Sequence, residues 1–186
     1  MSRPHPPMPG ENVAKRRLDE MIRVDHAGEF GAVQIYRGQR AVFERIEGKS
    51  HAAKLIAEME AGEQEHLRTF DRLIAQRRVR PTLMAPVWRV AGFGLGAVTA
   101  LFGEQAAHAC TEAVEEVIEK HYGQQVDELD GVDNELHDVV ERFRAEEIAH
   151  KETAIDQGAR NAPGYPVLSA VIKFGCRAAI RISEKI

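Results

Sequence analysis

The chain has 186 residues, with 25 Lys plus Arg against 29 Asp plus Glu, a formal net charge of −4 and a pI near 6.1. That mildly acidic balance excludes a general nucleic-acid binder, and 44% apolar with 29% charged residues excludes a mostly disordered chain. Two cysteines, Cys110 and Cys176, are too few for a disulfide scaffold and fit a reducing compartment.

The N-terminal string MSRPHPPMPG has no apolar core and is rich in proline, so residues 1–11 are expected to be a disordered tail, neither a secretory signal nor an amphipathic transit helix. Residues 12–186 are read as one domain. Proline is absent between Pro9 and Pro81 and between Pro86 and Pro163, and good helix formers fill both gaps. The expected class is all-α. A first helix is expected from Asn12 as N-cap to near Gly48, and a second from Ser50 as cap to about Arg78. The string RVRPTLMAP connects to a third helix from Pro86 to Tyr122, with Gly123 as its C-terminal stop. Such a helix would exceed ~50 Å, and Gly92, Gly94, Gly96 and Gly103 predict a bend or break in its first half. Asp133 caps a fourth helix running to about Arg160, NAPGYP is a loop, and a fifth helix runs from Pro166 to the end. The longest uncharged run, Val90–Gly103, has 14 residues, against about 20 for a bilayer span.

Two Glu-x-x-His motifs, Glu63–His66 and Glu147–His150, place both side chains of each on one helix face, where they can reach one metal. A single such motif is weak, because chance supplies about one in a chain with this many Glu and His. The arrangement is more specific. Glu29 lies 34 residues before Glu63 and Glu115 lies 32 before Glu147, each on the preceding helix. This internal repeat matches the pattern of dinuclear carboxylate bundles, in which two helices give a Glu and two give a Glu-x-x-His. Offsets of three, four and seven around Glu29, Glu63 and Glu147 are largely apolar, so these groups are expected to point inward. Four buried carboxylates need compensation, and two divalent cations supply it. Four carboxylates with two imidazoles suit iron or manganese rather than structural zinc or calcium. Glu115 is flanked by Glu112, Glu116 and Glu119, a polar face. His26 is either an outer partner of the ligands or a core histidine, and His108, His121 and Tyr122 lie near the same stripe.

These residues sit in longer strings: VDHAGEFGA, GFGLGAVTALFGE, ACTEAVEEVIEKHY, FRAEEIAHKE and GCRAAIRISEKI. Over about residues 13–186 they resemble the demethoxyubiquinone hydroxylase family of ubiquinone biosynthesis. The resemblance implies a ferritin-like four-helix bundle with an additional C-terminal amphipathic helix and two Fe²⁺ ions per chain. It implies hydroxylation of a polyprenylated demethoxyubiquinol ring with O₂, a late step of ubiquinone biosynthesis. Its metal ligands fall on Glu29, Glu63, His66, Glu115, Glu147 and His150. By analogy with di-iron carboxylate sites, Glu63 and Glu147 bridge, and His121 and Tyr122 are candidates for a relay. It further implies electrons from NADH or a redox partner, a lipid-binding partner of the ubiquinone-synthesis complex, and no nucleic acid; a homo-oligomer stays open. The expected location is peripheral, on the cytoplasmic face of the bacterial inner membrane, or on the matrix face of the mitochondrial inner membrane for a mature eukaryotic form.

A lipid substrate requires access to a membrane. The last helix carries Lys173, Arg177 and Arg181 as a basic stripe and Leu168, Val171, Ile172, Ala179 and Ile180 as an apolar one, with net side-chain charge +3 from Val167 to Ile186. It could lie on an anionic bilayer or pack on the bundle. The glycines of Trp88–Gly103 could leave a groove for a polyprenyl tail or permit close helix packing. The competing functional readings are a ferritin-like iron-storage or ferroxidase protein, a manganese catalase or peroxidase, and a non-catalytic lipid-binding bundle.

Overall fold

The computed structural model describes residues 11–186. The expected tail lies outside the described residues except for Glu11, which already begins the first helix. The described residues form six α-helices and no strand: α1 Glu11–Phe43, α2 Ser50–Arg77, α3 Ala85–Leu101, α4 Glu104–Leu129, α5 Asn134–Asp156 and α6 Tyr165–Lys185, with a 3₁₀ turn at Ala159–Asn161. The all-α expectation holds.

The expected third helix is two. Its break falls at Phe102–Gly103, where Gly103 takes φ +109°, a conformation that residues with a side chain rarely adopt. The stop expected at Gly123 does not occur. Helix formers continue past it, α4 runs on to a buried Leu129, and Gly123 sits under the Arg144 guanidinium. Ser50 is the first residue of α2 rather than its cap; Lys49 takes that place without a side-chain bond. α1 ends at Phe43, short of Gly48, and α5 ends at Asp156, short of Arg160. Asp133 caps α5 as expected, accepting a hydrogen bond from the Leu136 backbone N–H. Arg77 pairs with the same carboxylate from the end of α2 and holds its pKa below the usual range.

The topology follows from cross-helix contacts. Gln39 to Ala107, Tyr36 to Glu115 and Tyr122 to Glu29 set α4 antiparallel to α1. Arg77 to Asp133 and Glu63 to His150 set α5 antiparallel to α2. α3 carries the chain back between α2 and α4, parallel to α1, with Gly92 over Gly31 and Gly96 over Ile35. α6 lies along α4 and α1, where Lys173 meets Glu116 and Arg17 meets Glu184. Two apolar layers fill the interior of α1, α2, α4 and α5. One holds Ile22, Phe70, Leu73, Leu129, Leu136, Val140 and Phe143, and the other Tyr36, Phe43, Ala52, Ile56, Met59 and Ala107. In sequence, the expected ligands fall between these two layers on α1, α2 and α4, and on α5 they follow the last residue of the first layer, Phe143.

The close approach of α3 to α1 depends on missing side chains. A Cβ at Gly96 would overlap the carbonyl oxygen of Ile35, and one at Gly38 that of Phe93, whereas a Cβ at Gly94 meets nothing within 4 Å. Gly96→Ala is therefore expected to destabilise the protein by roughly 1–3 kcal/mol, as overpacking does. Gly94→Ala should be neutral or slightly stabilising, since it only improves helix propensity. Denaturant unfolding midpoints of the two variants check the contrast.

Candidate metal centre

Each of the four central helices contributes one buried carboxylate, and α2 and α5 each add a histidine one turn later. Glu29, Glu63, Glu115 and Glu147 are all fully or almost fully buried, as is His66; His150 is partly exposed. The six group into two overlapping sets. Glu29, Glu63, His66 and Glu147 bring one donor atom each within 4.8 Å of one another, and so do Glu63, Glu115, Glu147 and His150. Glu63 and Glu147 belong to both sets. Either set could hold a metal ion, and the shared pair has the placement of bridging carboxylates.

The donor atoms converge on common points rather than satisfying one another. His66 Nδ1 lies 3.1 Å from Glu147 and 3.5 Å from Glu29, and His150 Nδ1 lies 2.9 Å from Glu63. Yet both Nδ1 atoms, both oxygens of Glu63 and Glu147, and one oxygen each of Glu29 and Glu115 are buried without a hydrogen-bond partner. Such orphaned groups cost about 1–3 kcal/mol each, more when charged, unless something else occupies the space between them. A divalent metal ion fits the negative charge and the unpaired donor atoms of either set.

Protons are the alternative occupants. Burial, reinforced by the neighbouring carboxylates, lifts Glu29 and Glu115 well above the ordinary carboxylate range. Burial would lift Glu63 too, but His150 and His66 outweigh it and bring that group down to about 2. Burial opposes charge on His150 as well, yet Glu147 and Glu63 raise its pKa to about 10, and His66 is raised in the same way. Without metal, these shifts favour the protonated forms of Glu29, Glu115 and the two histidines.

The surrounding side chains were less legible from sequence. Tyr36 donates to Glu115 at 2.8 Å, and Tyr122 donates to Glu29. His66 stacks on Phe143, with ring centroids 3.9 Å apart, and its outer Nε2 meets Glu146 at 2.7 Å. Nothing in the spacing singled out Glu146; only the antiparallel seating of α5 on α2 aims it at His66. His26 is not an outer partner of the six, because its Nε2 meets Asp71 at 3.0 Å. His108 is buried, and burial lowers its pKa, but it belongs to neither set. Glu112, flanking Glu115 on the polar face, is buried as well and pairs with Arg160. His121 lies 3.5 Å from Asp25, and Gln125 donates to Asp25 and lies within 3.0 Å of His121.

An apolar cavity of about 440 Å³ opens beside the centre, walled by α1, α3, α4 and α6, with Gly28, Gly31, Trp88, Gly92, Ile118 and Gly175 among its lining. A smaller one of about 20 Å³ shares Val24, Gly28, Ile118 and Ile180 with it and adds Asp25, Glu29, His121 and Tyr122. The small cavity, not the large one, reaches the carboxylate cluster, at Glu29. Of the Trp88–Gly103 glycines, Gly96 packs tightly on α1, as the close-packing reading expects, and Gly92 also lines the cavity. The basic stripe of α6 is shorter than expected, because Lys173 is paired with Glu116 while Arg177 and Arg181 stay exposed.

Comparison with known proteins adds the following. The family model described as "Ubiquinone biosynthesis protein COQ7" matches residues 16–183. A Rhodospirillum rubrum protein named 3-demethoxyubiquinol 3-hydroxylase is 48% identical over 96% of this chain and 83% of its own length. A human protein named NADPH-dependent 3-demethoxyubiquinone 3-hydroxylase, mitochondrial, is 44% identical over 95% of this chain and 81% of its own. A Saccharomyces cerevisiae protein named 5-demethoxyubiquinone hydroxylase, mitochondrial, is 39% identical over 91% and 78%.

Because metal ligands must shed their protons, binding of a divalent ion is expected to release protons from Glu29, Glu115, His66 and His150. Affinity should weaken as pH falls, since acid refills those sites. Calorimetric titration with Fe(II) in buffers of different ionisation enthalpy counts the released protons.

Proposed function

The chain belongs to the ubiquinone biosynthesis protein COQ7 family, and we propose that it is a di-iron monooxygenase that hydroxylates the ring of a polyprenylated demethoxyubiquinol with O₂. The observation that carries this reading is the convergence of Glu29, Glu63, His66, Glu115, Glu147 and His150 on two overlapping donor sets, bordered at Glu29 by the small cavity that adjoins the large apolar one. Glu29 and His66 complete one iron position, Glu115 and His150 the other, and Glu63 and Glu147 span both. Two Fe²⁺ ions, when bound, supply the reduction of O₂ and the delivery of one oxygen atom to the ring, the other leaving as water.

The chain's own residues bind and orient. The large cavity's volume lies in the range of small-molecule sites, and its lining is nearly all apolar, which suits a polyprenyl chain. Next to it, the cavity of about 20 Å³ places Asp25, His121 and Tyr122 beside Glu29, with room for a ring hydroxyl or a water rather than for the ring itself. Tyr122 donates to Glu29 and so connects that small cavity to a ligand; with His121 it remains the candidate relay. Electrons come from a reduced nicotinamide nucleotide or a redox partner; the human relative's name specifies NADPH.

We read residues 12–186 as one domain, a ferritin-like bundle of α1, α2, α4 and α5 with α3 as crossover and α6 as the added C-terminal helix. None of the described helices is long and apolar enough to cross a membrane. α3 exposes Val90, Phe93, Val98 and Leu101, Phe102 follows it, and α6 exposes Val167, Val171 and Phe174. Apolar area of that kind marks a contact surface, and the two helices that bear it also wall the cavity. The protein therefore sits peripherally on the membrane that holds its substrate, with Arg177 and Arg181 suited to anionic headgroups. An iron-storage shell would bury such a surface between its subunits, so the size of the particle in solution separates the two readings. A lipid-binding partner of the biosynthetic complex fits the same face.

Anaerobic loading with Fe(II) followed by demethoxyubiquinol and O₂ is expected to yield a product heavier by one oxygen atom, with ¹⁸O from O₂ appearing in it by mass spectrometry. Glu147→Ala should lose iron and turnover together, because it removes a donor common to both positions. Full iron content with normal turnover in that variant would refute the assignment.

A further inference from the structure

The two halves of the centre repeat the same motif, but they differ at the residue just before its glutamate. On α5 that residue is Glu146, and on α2 it is Gly62. α2 and α5 are antiparallel, so each of these positions faces the histidine of the other helix. Glu146 lies 2.7 Å from the outer Nε2 of His66. The symmetric position fails to reach, because a Cβ at Gly62 would stand 3.4 Å from Nε2 and Cε1 of His150, and glycine has none.

The difference bears on how firmly each histidine is held. A carboxylate only accepts, so Nε2 of His66 keeps its proton against Glu146, and Nδ1 is the nitrogen that gives up a proton and offers a lone pair when metal binds. A ligating histidine with a carboxylate on its other nitrogen is fixed in tautomer and made more basic. Stacking on Phe143 adds to the restraint, and His66 is fully buried. His150 makes no side-chain hydrogen bond among the described residues and keeps 17% of its side chain exposed. Its tautomer and ring angle are left to the ligand it meets.

We propose that Glu146 presets His66 while Gly62 leaves His150 unrestrained, so that the Glu29–His66 position binds metal first and more tightly than the Glu115–His150 position. This rests on the reading of the six residues as a two-metal site. Gly62 accordingly marks the exchangeable position, and Glu146 is a positioning residue for the retained one.

The test is anaerobic titration of the full chain with ⁵⁷Fe(II), followed by calorimetry and by Mössbauer spectra at sub-stoichiometric loading. The wild type is expected to fill in two separable steps, with one dominant quadrupole doublet below one equivalent. Glu146→Gln should weaken the first step by about tenfold, in the range for outer partners of metal ligands, and leave the second in place. Gly62→Asp, which offers His150 a carboxylate, should tighten the second step by about as much, so that the two converge. Two equal steps in the wild type, or a Glu146→Gln variant with its first step unchanged, would overturn the proposal. If Glu146→Gln does not fold, an unmoved second step in Gly62→Asp overturns it alone. A wild type that takes up no iron would sink the two-metal reading itself, and this inference with it.

Discussion

Four carboxylates and two imidazoles buried at one level of a helical interior are the constraint on which the rest of the molecule depends. Their mutual repulsion and lost hydration must be offset by protons or by metal, and the surrounding architecture serves that requirement. Apolar layers fill the space between α1, α2, α4 and α5, one built around Phe70, Leu136 and Phe143 and the other around Phe43, Ile56 and Met59. Tyr36 and Tyr122 each spend a buried hydroxyl on one of the carboxylates. What is left unsatisfied is concentrated on the atoms that face one another.

Two of the helices that build the centre, α1 and α4, also wall the apolar cavity. α3 is pressed onto α1 through glycines, while α6 reaches across to meet it near the start of α3, where the Trp88 indole donates to Ser183. Between them lies the apolar cavity. Exposed Phe93 and Phe174 on the outer surface thus belong to two of the four helices that wall the cavity. An exposed apolar surface and an apolar interior share these two helices, which is the arrangement the proposed handling of a polyprenylated substrate calls for.

The repeat in the sequence is only approximate in space. Each half supplies a Glu and a Glu-x-x-His, yet one histidine is buried against Phe143 and Glu146 while the other looks past Gly62 toward partial solvent. Antiparallel packing turns a one-residue difference between α2 and α5 into a difference between two ligand positions, because the residue before each glutamate acts on the opposite histidine.

Helical class, the six residues that converge in the two donor sets and the break before Glu104 were legible in the amino-acid order, because each rests on local physics. Helix periodicity puts residues three apart on one face, proline gaps delimit helices, and glycine accumulates where the chain must turn. The family strings added the expected chemistry. Glu115 was least legible from its own helix, since Glu112, Glu116 and Glu119 made that face polar; burial against Tyr36 distinguishes it. Gly123 misled, because glycine within a helix reads locally as a stop, and only the Arg144 side chain over it explains its place. Glu146, Asp25, the joined cavities and the pairing of Lys173 with Glu116 were decided by tertiary structure alone. Each depends on which helix lies opposite and at what register, and that is set by long-range packing rather than by the spacing of residues along one rod.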